Sequence, residues 1–240
     1  DKNENFEGRF TPRISAVYTF LENHNIRASF QTGFRNPDTH AQYIFFPVGT
    51  NTLLGSSEDN AARYGVHKGG AWTRSSYEAF RATGDSSVLV TDNVDYVKPE
   101  RLSSYEIGYK GLFAENFIID VNLYYTSYRD FIGGDDVAAK FQTVHQGTTY
   151  APGTIYSPYR NASEDVTSTG VGVGLTYNFP RGYFFTGNYN YATFDSEQSD
   201  GSTFRAGFNT PENKFSVGVG NRKVTKNLGF NVNFRWQDKF

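Results

Sequence analysis

The stretch Asn25-Ile-Arg-Ala-Ser-Phe-Gln-Thr-Gly-Phe-Arg-Asn-Pro37 carries the pattern that decides the fold. Alternate positions from Ile26 to Phe34 hold Ile, Ala, Phe, Thr and Phe, whereas the positions between them hold Arg, Ser, Gln and Gly. Successive side chains of a β-strand point to opposite faces. The stretch therefore predicts a strand with one apolar face and one polar face.

The same alternation recurs along the chain and predicts about eight strands. They cover about 13–21, 25–35, 103–113, 117–126, 170–179, 183–194, 215–219 and 228–237. Short turns alternate with long polar segments at about 36–100, 133–165 and 196–213. Strands that face lipid on one side and a polar lumen on the other, joined alternately by short periplasmic turns and long extracellular loops, are typical of outer-membrane β-barrels.

The composition restricts the class of protein. The 240 residues include 17 Tyr and 22 Phe, no Cys, and a formal net charge of -2. No apolar stretch is long enough for a transmembrane helix, which takes about 18 residues. The near-zero charge and the lack of a basic patch predict no nucleic-acid partner. An aromatic-rich soluble β-protein remains the alternative to an antiparallel transmembrane β-barrel.

The order of short and long connections also predicts where the chain ends lie. If the short turns are periplasmic, the first strand runs inward and the eighth runs outward, so both ends lie outside the cell. A complete bacterial barrel usually starts and finishes in the periplasm. We therefore expect a block of consecutive strands from a larger barrel rather than a closed eight-stranded barrel.

Several segments resemble the TonB-dependent outer-membrane receptor family. These are Thr11-Pro-Arg-Ile-Ser-Ala-Val-Tyr18, Gly33-Phe-Arg-Asn-Pro37, Lys98-Pro-Glu-Arg101 with Ser104-Tyr-Glu-Ile-Gly-Tyr-Lys110, Val121-Asn-Leu-Tyr-Tyr125 with Tyr128-Arg-Asp-Phe-Ile132, and Asn209-Thr-Pro-Glu-Asn-Lys214. The style is similar to that of receptors from Bacteroidetes-type bacteria. The resemblance implies a late-middle part of a barrel of about 22 strands. On this interpretation the plug domain and the final strands are absent from the chain.

The resemblance also implies a function. Such receptors actively import a scarce nutrient, such as a ferric siderophore, haem, a cobalamin, an oligosaccharide or a peptide, and they are not enzymes. The implied partners are outer-membrane lipid, the plug domain of the same polypeptide, a TonB-type energising complex and, in one branch of the family, a surface lipoprotein. The alternative function is that of a barrel subunit of an outer-membrane protein complex, whose loops dock protein partners.

The first long segment is rich in aromatic and Arg side chains, which are enriched at recognition surfaces. The ligand-contact candidates in this extracellular loop are Tyr43, Phe45, Phe46, Arg63, Trp72, Arg74 and Tyr77. The alternative is that these aromatic side chains pack the loop against itself and its neighbours.

The polar face carries charged and amide side chains that we expect to face the lumen and the plug. They are Arg27, Gln31, Arg35, Glu106, Lys110, Asp120 and Arg235. The favoured interpretation is that they solvate the interior and hold the plug. The alternative is that Arg27 and Arg35 contact an anionic ligand on its way through.

No motif predicts a cofactor, a metal or covalent chemistry. The four His residues have no metal-ligand spacing, and no nucleophile elbow is present. The run Gly170-Val-Gly-Val-Gly174 has Leu175 where a nucleotide-binding loop needs its third glycine. We interpret these glycines as lumen-facing positions of a strand.

Overall fold

Most of the chain forms β-strands in the structure, a computed structural model that describes residues 6–197, 204–206 and 210–239. In chain order they are β1 (Arg13–Phe20), β2 (His24–Arg35), β3 (Phe45–Val48), β4 (Asn51–Leu54), β5 (Ala71–Thr73), β6 (Thr91–Asp92), β7 (Glu100–Phe113), β8 (Phe117–Arg129), β9 (Ile132–Gly134), β10 (Val137–Ala139), β11 (Thr143–His145), β12 (Thr148–Tyr150), β13 (Ile155–Asn161), β14 (Val166–Asn178), β15 (Tyr183–Asp195), β16 (Asn213–Thr225) and β17 (Leu228–Gln237). The helices are α1 (Thr39–Tyr43), α2 (Glu58–Tyr64) and α3 (Arg74–Thr83), with 3-10 turns at Ser86–Val88 and Pro180–Gly182. Within the described ranges no helix is long and apolar enough to cross a membrane.

The eight long strands form one antiparallel sheet in the order β1-β2-β7-β8-β14-β15-β16-β17. These are the eight predicted strands, and β1 and β17 form the two edges of the sheet. Two strand bounds differ from the predicted ranges, which began the second strand at 25 and ended the seventh at 219. His24 already belongs to β2, and β16 continues to Thr225, because a register irregularity between Asn221 and Thr225 lets the pairing with β17 resume near the turn.

The register gives the sheet two chemically different faces. One row across all eight strands contains Tyr18, Ile26, Tyr109, Val121, Val173, Tyr189, Phe215 and Trp236. The adjacent row contains Val17, Arg27, Gly108, Asn122, Gly172, Asn190, Lys214 and Gln237. We call the faces that carry these rows the apolar face and the polar face.

The apolar face is open rather than packed against a second layer. Ile107 is 54% exposed and Phe234 is 58% exposed, although both lie within long strands. A soluble β-sandwich would bury such side chains between its sheets. The exposed apolar face confirms the predicted fold class, a section of an antiparallel transmembrane β-barrel.

The two ends of the sheet differ in their connections. At the turn end, β1 joins β2 through Leu21 and Glu22, and β7 joins β8 through Ala114 and Glu115, all four with positive φ. At the loop end, long segments join β2 to β7 and β8 to β14. Half of the predicted third long segment, 196–213, lies outside the described residues.

The first two long segments fold together into a second, smaller unit. Residues 36–99 and 131–165, called the loop unit here, form a sheet in the order β3-β4-β13-β10-β5-β6, with β9 also paired to β13. The parallel pair β4–β13 joins the two segments. Its buried core consists of Leu54, Tyr64, Val66, Ala71, Val94, Val137, Ala139 and Tyr156. The sequence analysis assigned no secondary structure to these segments.

A buried ion triad ties the loop unit together. Arg160 on β13 lies 3.1 Å from Asp92 and 3.1 Å from Asp135 through its Nη1. The three side chains are 18%, 8% and 3% exposed, respectively. The triad therefore joins the first segment to the second through charges that have little access to water.

The glycines of the Gly170–Gly174 run lie on the polar face of β14, as interpreted from the sequence. A Cβ atom at Gly170 would lie 2.5 Å from the Tyr124 ring, so only glycine leaves room for that ring. Because the run lies within a strand, it lacks the strand-to-helix turn of a nucleotide-binding loop.

Candidate functional site

The polar face carries a charge network near the turn end, built by three adjacent strands. The Nη2 of Arg27 lies 2.9 Å from the Oδ1 of Asp120, and its Nε lies 3.7 Å from Glu106. Lys110 lies 3.9 Å from the Oδ2 of Asp120. The glycine at 108, opposite Arg27, leaves space for this guanidinium, because a Cβ there would lie 2.6 Å from it. Four of the predicted lumen-facing residues thus meet in one network.

The other predicted lumen-facing residues lie elsewhere on the polar face. Gln31 lies between Arg13 and Ser104 in the register. Arg235 lies on β17, an edge strand of the sheet, opposite Ser216 of β16. Arg35 lies at the loop end of β2, where its Nη2 contacts the Oε2 of Glu100 at 2.8 Å.

A cavity of about 810 Å³ opens where the polar face meets the loop unit. Its walls include Arg35, Glu100, Tyr128, Phe131, Tyr159 and Arg205. The carboxylate of Glu100 is buried and also accepts a hydrogen bond from the backbone N–H of Ile132 at 3.2 Å. One wall of the cavity therefore contains a buried carboxylate that contacts Arg35 of β2 and the backbone of Ile132 in the loop unit.

Two guanidinium groups face this cavity from opposite elements. The side chain of Arg35 is 57% exposed, and that of Arg205 is 66% exposed. Arg205 also contacts Asp136 at 2.9 Å, and Asp136 in turn accepts hydrogen bonds from Ser157 and Asn51. Both guanidinium side chains are therefore more than half exposed to solvent while each holds one carboxylate. The cavity can therefore accept a ligand with acidic or other acceptor oxygens.

The candidates in the first long segment divide into packed and exposed side chains. Phe45 stacks on Tyr64 with ring centroids 4.5 Å apart, and Trp72 lies under the Lys140 ammonium at 3.7 Å. Arg74 pairs with Glu78 on α3. Tyr77 lies beside Phe80, with ring centroids 6.2 Å apart.

Three other candidates of this segment remain open to solvent. Tyr43 is 45% exposed, Phe46 is 57% exposed, and Arg63 is also exposed. The structure therefore places some candidates in the packing of the loop unit and leaves others on its surface. Among the described residues that line the cavity, Arg35 alone belongs to the sequence-derived sets.

The sequence analysis missed Glu100, Tyr128, Tyr159 and Arg205 as cavity residues. Glu100 could have been found from the sequence, because pairing β2 with β7 places it directly opposite Arg35. No sequence pattern indicated Tyr159 or Arg205, because the fold of the loop unit positions them. Among the described residues, no group of three His, Asp or Glu side chains could hold a metal ion.

Lowering the pH is expected to weaken the loop unit through His67. Its Nδ1–H donates to the Val94 carbonyl oxygen at 2.6 Å, and its buried Nε2 has no hydrogen-bond partner within the described part of the chain. Burial lowers the pKa of His67. The hydrogen bond to Val94 and the charge of Asp95 oppose this shift, and the charge of Lys68 adds to it. Below about pH 6.5, His67 therefore binds a proton in the opened segment but not in the folded unit. The free energy of unfolding of the loop unit has its full value above this pH and decreases as the pH falls toward the pKa of the folded state.

Hydrogen exchange of loop-unit amides at pH 7.5 and 5.5, corrected for intrinsic rates, measures this effect. His67→Gln is expected to remove most of the pH dependence. An equal dependence in wild type and variant would contradict the role of His67.

Comparison with known protein families gives a match over nearly the whole chain. A family model described as "TonB dependent receptor-like, beta-barrel" matches residues 1–239. No curated relative matches the chain.

Solved structures share the arrangement of strands at low sequence identity. The siderophore receptor PirA from Pseudomonas aeruginosa aligns with a TM-score of 0.57 and 11% identity, covering 96% of this chain and 31% of PirA. The hemophore receptor HasR of Serratia marcescens, in complex with HasA and heme, aligns with a TM-score of 0.58 and 14% identity over 95% of this chain and 32% of HasR. FpvA from Pseudomonas aeruginosa PAO1, bound to pyoverdine, aligns with a TM-score of 0.54 and 14% identity over 96% of this chain and 25% of FpvA. The chain thus spans less than a third of these structures, which share its fold.

Proposed function

We propose that this chain, which belongs to the TonB-dependent receptor-like β-barrel family, forms part of a receptor. That receptor imports a scarce nutrient across the outer membrane. Homologous receptors of this family are outer-membrane β-barrels, and the family consists of receptors and transporters rather than enzymes. The nutrient is of the kind these receptors take, such as a ferric siderophore, haem, a cobalamin, an oligosaccharide or a peptide.

The cavity between the polar face and the loop unit is the observation that carries this proposal. In this assignment the apolar face contacts outer-membrane lipid, the loop end is extracellular, and the polar face surrounds the plug domain. A ligand captured by the loop unit then reaches the plug past Arg35 and Arg205. A TonB-type complex supplies the energy by pulling on the plug.

The charges of the cavity favour a ligand with acidic groups. Arg35 and Arg205 each present free guanidinium donors, whereas Glu100 is turned toward Arg35 and the Ile132 amide. The exposed loop-unit residues Tyr43, Phe46 and Arg63 are the proposed first contacts. Phe45 and Trp72 position this surface through packing, and the network around Arg27 is the proposed seat of the plug.

Binding by the full-length receptor tests the role of the cavity. We expect Arg205→Gln to weaken binding of a ferric siderophore or haem by about 10- to 100-fold, because a hydrogen bond to a charged group contributes about 1.5–3 kcal/mol. Asp136 keeps its hydrogen bonds to Ser157 and Asn51, so the variant should fold. Titration of the purified receptor with ferric pyoverdine, haem and cyanocobalamin measures the effect.

Arg81→Gln is the matched control, since this exposed Arg lies on α3, outside the cavity. Equal affinity in Arg205→Gln and wild type would overturn the assignment of the cavity. Loss of the receptor gene without any uptake defect, together with stoichiometric co-purification of a partner protein, would instead support the docking-subunit alternative.

A further inference from the structure

The four turns at the turn end of the sheet carry charges of opposite sign on its two halves. Glu22 lies in the β1–β2 turn, and Glu115 lies in the β7–β8 turn. Arg181 lies in the β14–β15 turn, and Lys226 lies in the β16–β17 turn. In the order of the sheet, the turns are therefore acidic, acidic, basic and basic.

The sequence of the basic half supplies no carboxylate at the turn end. Residues 166–194 and 213–237, which cover nearly all of β14 to β17 and their turns, contain six Arg or Lys and no Asp or Glu. Four of these basic side chains lie at the turn end and are exposed: Arg181, Arg222, Lys223 and Lys226. Within the described part of the chain, none of the four forms an ion pair. Their charge is therefore available to a partner.

A buried side chain holds the two basic turns together. Asn221 is 2% exposed. Its Nδ2 donates to the carbonyl oxygen of Arg181 at 3.2 Å, and its Oδ1 accepts from the backbone N–H of Lys223 at 2.6 Å. The backbones that carry these cations thus keep a fixed spacing, which lowers the entropic cost of binding a charged partner.

The spacing of the four turns matches an extended polypeptide. Neighbouring strands lie about 4.8 Å apart, so successive turns, which are two strands apart, are separated by about 10 Å and the row spans about 30 Å. An extended chain of about nine residues covers that length. Because salt screens charges beyond about 8–10 Å, each turn acts chiefly on the part of a partner that lies directly against it.

We propose that this row of turns docks a periplasmic partner protein through a bipolar segment. The segment is acidic where it meets the β14–β15 and β16–β17 turns and basic where it meets Glu22 and Glu115. Complementary charge patterns of this kind fix the register of a partner. The periplasmic placement of the turn end rests on the proposed function, whereas the binding test does not.

The charge pattern favours a polypeptide over a membrane surface. A uniformly anionic surface would meet the two glutamates with the wrong sign. The Cζ of Arg222 also lies 5.2 Å from the ring centroid of Phe184, a residue of the polar face. This guanidinium is therefore held on the side of the sheet away from the lipid-facing side chains.

Two peptides of the same composition test the proposal on the full-length receptor in phosphatidylcholine nanodiscs. EEEEGGKKKK carries its charges in two blocks, whereas EKEKGGEKEK alternates them, and both reach about 33 Å when extended. We expect the block peptide to bind at least about fivefold more tightly in fluorescence anisotropy at low salt. The difference should shrink as the salt concentration rises.

Matched variants locate the binding at the turn end. Lys223→Gln/Lys226→Gln should remove most of the preference for the block peptide, and Lys223→Arg/Lys226→Arg should keep it. Arg63→Gln/Lys68→Gln removes two exposed charges from the loop unit and should bind as wild type does.

Two outcomes would overturn the proposal. One is equal affinity of the wild-type receptor for the two peptides. The other is a preference for phosphatidylglycerol over phosphatidylcholine that Lys223→Gln/Lys226→Gln loses while its peptide binding stays at the wild-type level, which would assign the cations to lipid headgroups. Nutrient uptake is not part of the readout, so failure of the proposed transport function would leave the docking result interpretable.

Discussion

Replacing Arg160 by Met is expected to open the loop unit of the full-length receptor while the barrel stays folded. The change leaves Asp92 and Asp135 buried without their guanidinium partner. Removal of one member of a buried ionic group typically costs about 3–5 kcal/mol. We expect this loss to appear as faster hydrogen exchange and faster proteolysis within residues 36–99 and 131–165.

An exposed Arg of the same unit provides the control. Arg81→Met removes a guanidinium from the last turn of α3 and should leave exchange unchanged. The triple variant Arg160→Met/Asp92→Asn/Asp135→Asn removes the buried charges together and should recover part of the protection. Wild-type protection in Arg160→Met would mean that the triad contributes nothing to the stability of the loop unit.

Placing a charge at the centre of the apolar face should impair barrel assembly. Val173 lies in β14, between Val121 on one side and Tyr189 on the other. An Arg on the lipid-facing side near the membrane centre costs about 2–4 kcal/mol. We expect Val173→Arg to lower the folded fraction of the full-length receptor in bilayers, measured by urea titration and by the heat-dependent shift in electrophoresis.

The matched control places an Arg on the polar face of β15, the strand next to β14. Asn188 lies opposite Gly174 and Ser216 on the polar face, where Asn188→Arg can keep its charge in a polar environment. It should assemble nearly as well as wild type. Equal losses from Val173→Arg and Asn188→Arg would argue against contact between the apolar face and lipid.

The long strands were predictable because their information is local. The alternation around Ile107 or Val173 depends only on near neighbours, and a face exposed to lipid on one side requires it over a whole strand. The ends of strands were less accurate. At His24 and Thr225 the pairing partner determines where the turn begins, and that partner is not visible in the local pattern.

The loop unit was not predictable for the opposite reason. Its strands β4, β5 and β10 are three or four residues long, too short for a period to emerge. Their partners lie in a different segment of the chain. Aromatic composition alone could not separate Phe45, which is packed, from Phe46, which is exposed.

The candidate cavity shows the same division between local and distant information. Arg35 followed from the alternation of a single strand. Glu100 required the register of two strands, and Arg205 required the fold of the loop unit. Sequence patterns therefore located the polar wall of the cavity, and the remaining walls needed the tertiary structure.

The parallel pair β4–β13 joins two segments that flank the β7–β8 hairpin in the chain. β4 precedes β7 in the chain and β13 follows β8, so prior formation of the β7–β8 hairpin shortens the loop that the β4–β13 pair must close. Asn161 completes this junction by hydrogen bonding to the carbonyl oxygens of Lys98 and Asp130. A slip of two residues between barrel strands would displace these ends by about 7 Å and break the junction. The contacts of this junction are therefore compatible only with the observed register of the barrel strands beneath it.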